Sequence, residues 1–195
     1  DEGIVYRVRI PGVGVSWPTQ VSYTGVFKSF FTIMRGMYYN RWGRVIDLPW
    51  SDFSPRPADH PTVYNAEKAF SGYSGDVFFS KDTPKTTTRP LSGGHHDAGD
   101  FDQQMTHWQY ALMLLNAYEL NPPSFADGQL NIPESGNGIP DILDEALYEL
   151  RGWQQLQEAD GGVRQGVESY GHPCNNCFSD TDTLPYWTYS VDAGH

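Results

Sequence analysis

Basic residues and cysteines are both scarce in this chain of 195 residues, and its sequence has no long apolar run. Lys and Arg together number 13 against 24 Asp and Glu, which gives a formal net charge of −11. A surface this acidic repels phosphate backbones and anionic lipid, so neither a nucleic acid nor a membrane surface is expected as a partner. No stretch reaches the roughly 20 apolar residues that a membrane-spanning helix needs.

The two cysteines, Cys174 and Cys177, are too few for a disulfide framework, so they leave the cellular compartment open. Their Cys-x-x-Cys spacing is half of a zinc site, and the sequence offers no second half. Three interpretations stay open: a local disulfide, two free thiols, or a partial metal site with the nearby His172.

Aromatic residues, by contrast, are frequent: they make up 14% of the chain, with six Trp and twelve Tyr. Large rings fill protein cores, and their flat faces also stack on the apolar faces of pyranose sugars. A group of rings near the end of the chain therefore has two interpretations, a sugar cleft or part of the core. Its members are Tyr170, His172, Tyr186, Trp187 and Tyr189.

Three amphipathic helices are predicted from apolar residues that recur at spacings of three and four. Ser22 or Thr24 would cap the first, and Gly43 would end it. The second would stop at Pro122, and the third would begin with Pro140 at its first position. The predicted apolar stripes are Tyr23, Val26, Phe27, Phe30, Phe31, Met34, Met37 and Tyr38; Phe101, Met105, Trp108, Leu112 and Leu115; and Ile139, Ile142, Leu143, Ala146, Leu147, Leu150 and Trp153.

Strand signals are weak outside residues 4–10, IVYRVRI, which predict one strand whose partner would lie outside this chain. Gly12 and Gly14 do not form a dinucleotide fingerprint, because the third glycine and a following βαβ unit are missing. Residues 44–92 lack a long period and predict an irregular loop, as does the chain after Gly162. The predicted helices do not alternate with strands, which favours a fold of stacked or toroidal helices over a doubly wound sheet.

The stretch 93-GGHHDAGD-100 concentrates ionisable groups at a bend before the second predicted helix. Its small residues allow a tight turn and a close approach of ligand to backbone. Asp100 would meet the unpaired N–H groups and the positive dipole end of that helix, and both favour its ionised form. An ionised carboxylate suits a general base that activates water, although a plain helix N-cap uses the same residue type.

Metal binding is a competing interpretation of this stretch. Adjacent His side chains usually point apart, which weakens a shared ligand set. Residues 127–138 are rich in Asp, Asn and Gly, so calcium is a further option, although the EF-hand spacing does not fit and a loop capping the third helix explains the same residues. The candidate ligands of the first site are His95, His96, Asp97, Asp100 and Asp102.

Three segments resemble the family 9 glycoside hydrolases, the inverting cellulase group. The stretch GGHHDAGD resembles the family's Gly-Gly-aromatic-x-Asp-Ala-Gly-Asp segment, with His95 at the aromatic position. Residues 132–157, IPESGNGIPDILDEALYELRGWQQLQ, resemble the family's Asn-x-Ile-Pro-Asp-Leu-Leu-Asp-Glu helix, which Gly-Gly-Val follows here at 161–163. Residues 9–18, RIPGVGVSWP, resemble the junction that follows an immunoglobulin-like module in many such enzymes.

The resemblance implies a mainly α fold, a partial (α/α)₆ barrel with long loops and a short N-terminal β-strand. Residues 1–18 would be the last strand of an immunoglobulin-like module and a linker. Residues 19–195 would be the N-terminal part of the catalytic domain, whose remainder would be a partner of this chain. The implied activity is hydrolysis of β-1,4-glycosidic bonds in cellulose or related β-glucans with inversion, in the extracellular space or the periplasm.

Carried over by position, the resemblance implies that Asp100 is the general base and that Asp97 holds the water and orients Asp100. The family's general acid is a Glu near the end of the catalytic domain, so it is expected beyond His195. Neither Glu134 nor Glu168 has the matching context. The residues predicted to contact the glycan are His95, His96, Tyr170, His172 and Trp187.

No cofactor is implied for the chemistry. Some relatives with the immunoglobulin-like module carry a structural zinc held by Cys and His, and His96 matches one of those ligands. Trp42 stands where a Cys is expected, so we do not expect that zinc here. Two alternatives remain: a non-catalytic carbohydrate-binding or structural protein, and a metal-dependent hydrolase that uses residues 95–102.

Overall fold

The computed structural model describes residues 3–66, 79–96, 107–164, 166–171 and 181–189. The chain divides into two compact units, Asp1–Met37 and Tyr38–His195. In the described part, no helix is long and apolar enough to cross a membrane. The boundary predicted between residues 18 and 19 stays a prediction.

Two short antiparallel ladders take the place of the single strand predicted over residues 4–10. Val5–Tyr6 (β1) pairs with Thr19–Gln20 (β4), and Arg9–Ile10 (β2) pairs with Gly14–Val15 (β3). Gly12, at a φ of 77°, turns the chain back between β2 and β3. Partner strands therefore lie within the chain, and the prediction that the strand has no partner here is wrong; its assignment to an immunoglobulin-like module stays a prediction.

The first helix, α1, spans Tyr23–Tyr39. The N–H of Gly25 donates to Ser22 Oγ at 2.9 Å, so Ser22 caps the helix as predicted. The helix ends at Tyr39, four residues before Gly43, so the prediction that Gly43 ends it is wrong. Gly43 has a φ of 69°, and a Cβ there would lie 2.4 Å from the carbonyl oxygen of Leu91. Glycine is therefore needed at 43 for close chain packing.

A sheet forms from segments that were expected to be irregular. Its strands are Thr62–Asn65 (β5), Thr88–Pro90 (β6), Gly166–Glu168 (β7) and Trp187–Tyr189 (β8). Among the described residues these strands make one four-stranded sheet in the order β6-β5-β8-β7, in which only β5 and β8 run parallel. The prediction of irregular structure is wrong here because strands of three or four residues are too short to show a period.

The main apolar core of the second unit joins this sheet to the end of the third helix. Buried side chains come from the sheet, from the chain around Trp42 and from Leu156, which follows the helix. Burial of each large apolar side chain contributes about 1.5–3 kcal/mol to stability. The members of the cluster are Trp42, Val63, Leu91, Leu156, Val167 and Tyr186.

The second helix, α2, is described over Trp108–Leu120, and a 3₁₀ turn over Pro122–Ser124 follows it. The predicted stop at Pro122 is confirmed. The predicted stripe is not the buried face: Trp108 is 44% exposed and Leu112 43%, while the buried positions include Ala111 and Leu114. Helix α2 packs against α3. The buried positions of α2 each precede a residue of the predicted stripe by one, Ala111 before Leu112 and Leu114 before Leu115.

The third helix, α3, spans Asp141–Gln155 and follows Pro140 directly, so its predicted start is confirmed to within one residue. Ile142 and Ala146 are buried as predicted, but Leu147 and Leu150 are exposed. The inward face is instead largely polar, because charged partners from other segments meet it. Its buried polar and small residues are Asp141, Asp144, Glu145, Tyr148, Glu149 and Gly152.

Gly93 provides a test of how closely the chain packs on α3. Its φ is 138°, and a Cβ there would lie 2.5 Å from the backbone nitrogen of Gly152. We expect Gly93→Ala to lower the free energy of unfolding by roughly 3 kcal/mol, since it adds both backbone strain and overpacking. Chemical denaturation followed by circular dichroism measures the loss.

Gly161→Ala is the matched control, because Gly161 also has a positive φ, 91°, but no atom within 4 Å of a Cβ. It isolates the backbone strain, which costs about 1 kcal/mol. Equal losses in the two variants would contradict the packing argument.

Candidate active site

The residues predicted to carry the chemistry lie partly outside the described structure. The description stops at His96, one residue before Asp97, and resumes at His107. The roles assigned to these residues therefore stay predictions. The predicted site and cysteine residues outside the described ranges are Asp97, Asp100, Asp102, His172, Cys174 and Cys177.

The five residues before Asp97, Ser92–His96, form what we call the approach segment. The N–H of Gly94 donates to the carbonyl of Tyr148 in α3 at 2.9 Å, and the carbonyl of Gly94 accepts from the N–H of Trp42 at 2.9 Å. Gly93 packs against the α3 backbone, as described above. The approach segment is thus held between α3 and the chain that follows α1.

Side-chain amides form hydrogen bonds with the backbone at both ends of the approach segment. At the start, the backbone N–H and carbonyl of Ser92 bond reciprocally to the amide of Gln155, at 2.9 and 2.7 Å. At the end, the N–H of His96 donates to the carbonyl of Asn40 at 3.0 Å, and the Asn40 side chain donates to the carbonyl of His96 at 2.8 Å. The backbone is therefore fixed up to the last described residue before Asp97.

The side chain of His95 lies between two carboxylates of α3. Its Nδ1 is 2.7 Å from Glu149 Oε2, and its Nε2 is 2.9 Å from Glu145 Oε1. The residue is 2% exposed, and both carboxylates are fully buried. Ionised carboxylates only accept hydrogen bonds, so both ring nitrogens must donate and the ring is an imidazolium.

Arg41 bonds to one of the same two carboxylates, that of Glu145. It donates from Nε and Nη2 to both carboxylate oxygens of Glu145, at 3.1 and 2.8 Å, and from Nη1 to Glu134. The guanidinium also lies 4.1 Å from the ring centre of Tyr148. Arg44 donates to Glu134 at 2.9 Å. This bidentate geometry is the strong form of a charged hydrogen bond.

The charges in this network cancel. The cations Arg41, Arg44 and His95 number three, and the anions Glu134, Glu145 and Glu149 number three. A buried charge is tolerated only where a partner and hydrogen bonds offset its lost hydration. We call these six side chains the charge network.

The pKa values follow from this arrangement. Burial alone would raise the pKa of Glu145, but the adjoining Arg41 and His95 lower it to about 2. Burial alone would lower the pKa of His95, but its bonds to Glu145 and Glu149 raise it above its ordinary value of 6.5. The raised pKa of His95 thus favours the same imidazolium that its bonds to the two carboxylates require.

His96 is the neighbour of His95 and has the opposite environment. Its Nε2 lies 2.5 Å from Asp59 Oδ2, and Asp59 also accepts from the N–H of Gly43 at 2.8 Å and from Arg56. Burial lowers the pKa of His96 below 6.5, more than its contact with Asp59 raises it. A neutral His96 donating to an ionised Asp59 fits both residues, since the pKa of Asp59 is also lowered.

Trp42, which stands where the resemblance expects a zinc-binding Cys, packs directly on the surrounding rings. Its ring centre is 5.0 Å from that of His96, 5.8 Å from His60 and 5.4 Å from Tyr186. Asp182 accepts from Tyr186 at 2.8 Å and lies 3.1 Å from His60 Nε2. In the described part of the chain, no group of three or more His, Cys, Asp and Glu is arranged to hold a metal.

Four of the five predicted sugar-contacting residues lie in the described ranges, and three of them, His95, His96 and Trp187, are buried. Trp187 lies in β8, fully buried, and its Nε1 donates to the carbonyl of Pro84 at 2.9 Å. Tyr170 is half-buried, and its ring centre lies 6.4 Å from that of Trp187. The rings of His95 and His96 are inside the protein. Direct glycan contact by these residues stays a prediction.

The members of the charge network other than His95 were not identified as site residues from the sequence. A signal was present, because Glu145 and Glu149 are four residues apart and share one face of a helix. Like charges at that spacing repel each other unless a cation lies between them. The cations come from positions about 50 and 100 residues away, which helical periodicity does not indicate.

The pKa values of the two adjacent histidines should be shifted in opposite directions from the ordinary value of 6.5. We expect His95 to remain an imidazolium at pH 7 and His96 to be neutral, and the ring carbon shifts in a two-dimensional NMR titration measure both. His95 binds its proton more tightly when folded, so its contribution to stability is full below pH 6.5 and is lost as the pH rises through its folded pKa.

His96 has the reverse sign: the unfolded chain binds its proton more tightly, so the stability is full above pH 6.5 and falls as the pH drops below it. The variants His95→Phe and His96→Phe identify the two resonances. Titration of both rings near their ordinary value would contradict the assigned environments.

The sequence of this chain is similar to those of known cellulases. The chain is 30% identical to a cellulose 1,4-β-cellobiosidase of Acetivibrio thermocellus over 172 residues, which is 80% of this chain and 19% of that protein. No family model matches the chain. The chain therefore spans about a fifth of the length of this curated relative.

Solved structures agree with the sequence comparison. A metagenome-derived glycoside hydrolase family 9 endoglucanase matches 96% of this chain and 32% of its own, with a TM-score of 0.76 at 29% identity. A zinc-binding triple mutant of another family 9 endoglucanase matches 95% of this chain and 33% of its own, with a TM-score of 0.68 at 25% identity. Similar sequence and similar fold along most of this chain thus confirm the resemblance to the family 9 glycoside hydrolases, and the chain corresponds to part of their length.

Proposed function

We propose that the intact protein hydrolyses β-1,4-glycosidic bonds of cellulose or a related β-glucan with inversion of configuration. The observation that carries the proposal is the fold similarity to a family 9 endoglucanase over 96% of this chain. The sequence similarity to a cellobiosidase also supports it. The relatives named here are a cellobiosidase and endoglucanases, so the proposed substrate class is the β-1,4-glucans.

In the proposed reaction Asp100 is the general base. It removes a proton from a water molecule, whose oxygen attacks the anomeric carbon from the face opposite the leaving group. Asp97 holds this water and orients Asp100. Inverting enzymes keep their two carboxyl groups about 6.5–9.5 Å apart, which leaves room for that water.

The general acid protonates the departing glycosidic oxygen, and the resemblance assigns this step to a Glu in another part of the catalytic domain. Two of the described glutamates, Glu134 and Glu168, are paired or buried. Glu134 is paired with Arg41 and Arg44, and Glu168 is buried in β7. These contacts support the expectation that neither residue is the acid.

The proposed substrate also suggests where the protein acts. Cellulose is an insoluble polymer that cannot enter a cell, so its hydrolysis requires an enzyme in the extracellular space; hydrolysis of soluble β-glucan oligosaccharides could take place in the periplasm. The net charge of −11 fits a neutral polysaccharide partner better than a polyanion.

The proposal is tested by mixing the intact protein with a soluble β-1,4-glucan and following the products by proton NMR. We expect the α-anomer to appear first, because inversion converts a β-linkage to an α-hemiacetal. Asp100→Asn should reduce kcat by a factor of about 10⁴, the upper end of the range for removal of a general base. Asp97→Asn should reduce it less.

Asp82→Asn is the matched control, because Asp82 is exposed on the loop before β6 and is not part of the proposed machinery. It should keep wild-type kcat. No hydrolysis by the wild-type protein, or full activity of Asp100→Asn, would overturn the proposal. Sugar binding without turnover would instead identify a binding protein.

A further inference from the structure

His95 connects the approach segment to the middle of α3. Its two ring nitrogens bond to Glu145 and Glu149, which are one helical turn apart. A ring held at both nitrogens cannot rotate about either side-chain torsion without breaking a bond. The position of His95 relative to α3 is therefore fixed by its side chain as well as by the backbone.

The backbone around His95 shares a carboxylate with its side chain. His95 forms an isolated antiparallel bridge with Arg41. The side chains of both residues also bond to Glu145, His95 at 2.9 Å and Arg41 at 2.8 Å. One buried carboxylate thus links two neighbouring stretches of backbone to the same turn of α3.

An uncharged ring at position 95 could fill the same space but could not replace this link. It would leave three carboxylates with two cations in the charge network. Among the described residues, the bond that Glu149 would keep is the one from Trp153 Nε1, at 2.7 Å. A buried charge without a counter-charge is strongly destabilising, as when one partner of a buried pair is removed.

We propose that His95 is a positioning residue for the reaction: its bonds to Glu145 and Glu149 fix the approach segment at the point where the chain continues into the Asp97–Asp100 motif. This inference rests on the proposed function, since it matters for turnover only if Asp100 acts as the base. His95 itself does not touch the substrate in this scheme. Its effect is on the placement of the carboxylates, and misplacement by about 1 Å can cost a factor of 100 in rate.

The test uses the double variant His95→Phe/Glu149→Gln in the intact protein. It removes one cation and one anion together, so the charges of the network still cancel while the link is lost. We expect kcat on a soluble β-1,4-glucan to fall by about 10- to 100-fold while KM stays within about 2-fold, because orientation is lost and substrate contacts are kept. The melting temperature should stay closer to wild type than that of His95→Phe alone.

A second variant controls for the loss of an ion pair as such. Glu158 bonds to Arg89 at 2.6 Å and also pairs with Arg164. Glu158→Gln removes the anion of both pairs, keeps the bond from Arg89 to the carbonyl of Gln155 and should leave kcat unchanged. If the His95 double variant does not fold, Glu149→Gln alone keeps the side-chain volume and an acceptor oxygen, and we expect about a 3-fold lower kcat at unchanged KM.

Each outcome decides between the explanations. Wild-type kcat in the folded His95 double variant, or in Glu149→Gln where only that variant folds, would overturn the positioning role. A rise in KM at constant kcat would also overturn it and would identify His95 as a substrate contact. If the wild-type protein does not hydrolyse glucan, the proposed function fails, and hydrogen exchange then tests the bonds of His95 to α3 alone. Backbone amides of the approach segment should exchange faster in the His95 double variant than in the wild type. Equal exchange rates would overturn the claim that His95 fixes this segment.

Discussion

The pairing of Arg41 with Glu145 is the interaction on which the second unit depends. Both side chains are fully buried, and neither could be inside the protein without the other. Their bidentate bond fixes the chain after α1 against one turn of α3. His95 then bonds to the same carboxylate, and its backbone pairs with that of Arg41. A single buried carboxylate therefore organises three segments that are far apart in the sequence.

This constraint explains why α3 turns a polar face inward. Glu145 and Glu149 must meet their cations inside the protein, and Gly152 must lie inside because Gly93 packs on its backbone. The leucines at 147 and 150 are then on the outer side of the helix by geometry alone. Charge pairing, rather than hydrophobic periodicity, has selected the face that α3 buries.

The parts of the structure that were predicted correctly depend on neighbouring residues. Ser22 caps α1, Pro140 precedes α3, and Pro122 follows the end of α2, and each effect acts within a few residues. The short strands and the charge network depend on partners that local patterns cannot identify. For the same reason, the sequence singled out His95 and His96 but suggested metal or sugar as their partners. The structure gives them buried carboxylates, which lie about 35–55 positions away along the chain.

The parallel pairing of β5 with β8 also constrains the order in which the chain can fold. Asn65 and Thr188 lie side by side although 123 residues separate them, so a large loop must close before this pairing forms. The α2–α3 pair is local and can form early, whereas β5 must wait for β8. During synthesis the ribosome must release almost all of these residues before the sheet is complete. Until then, β5 and the aromatic side chains that β8 will cover are exposed to other chains and to chaperones.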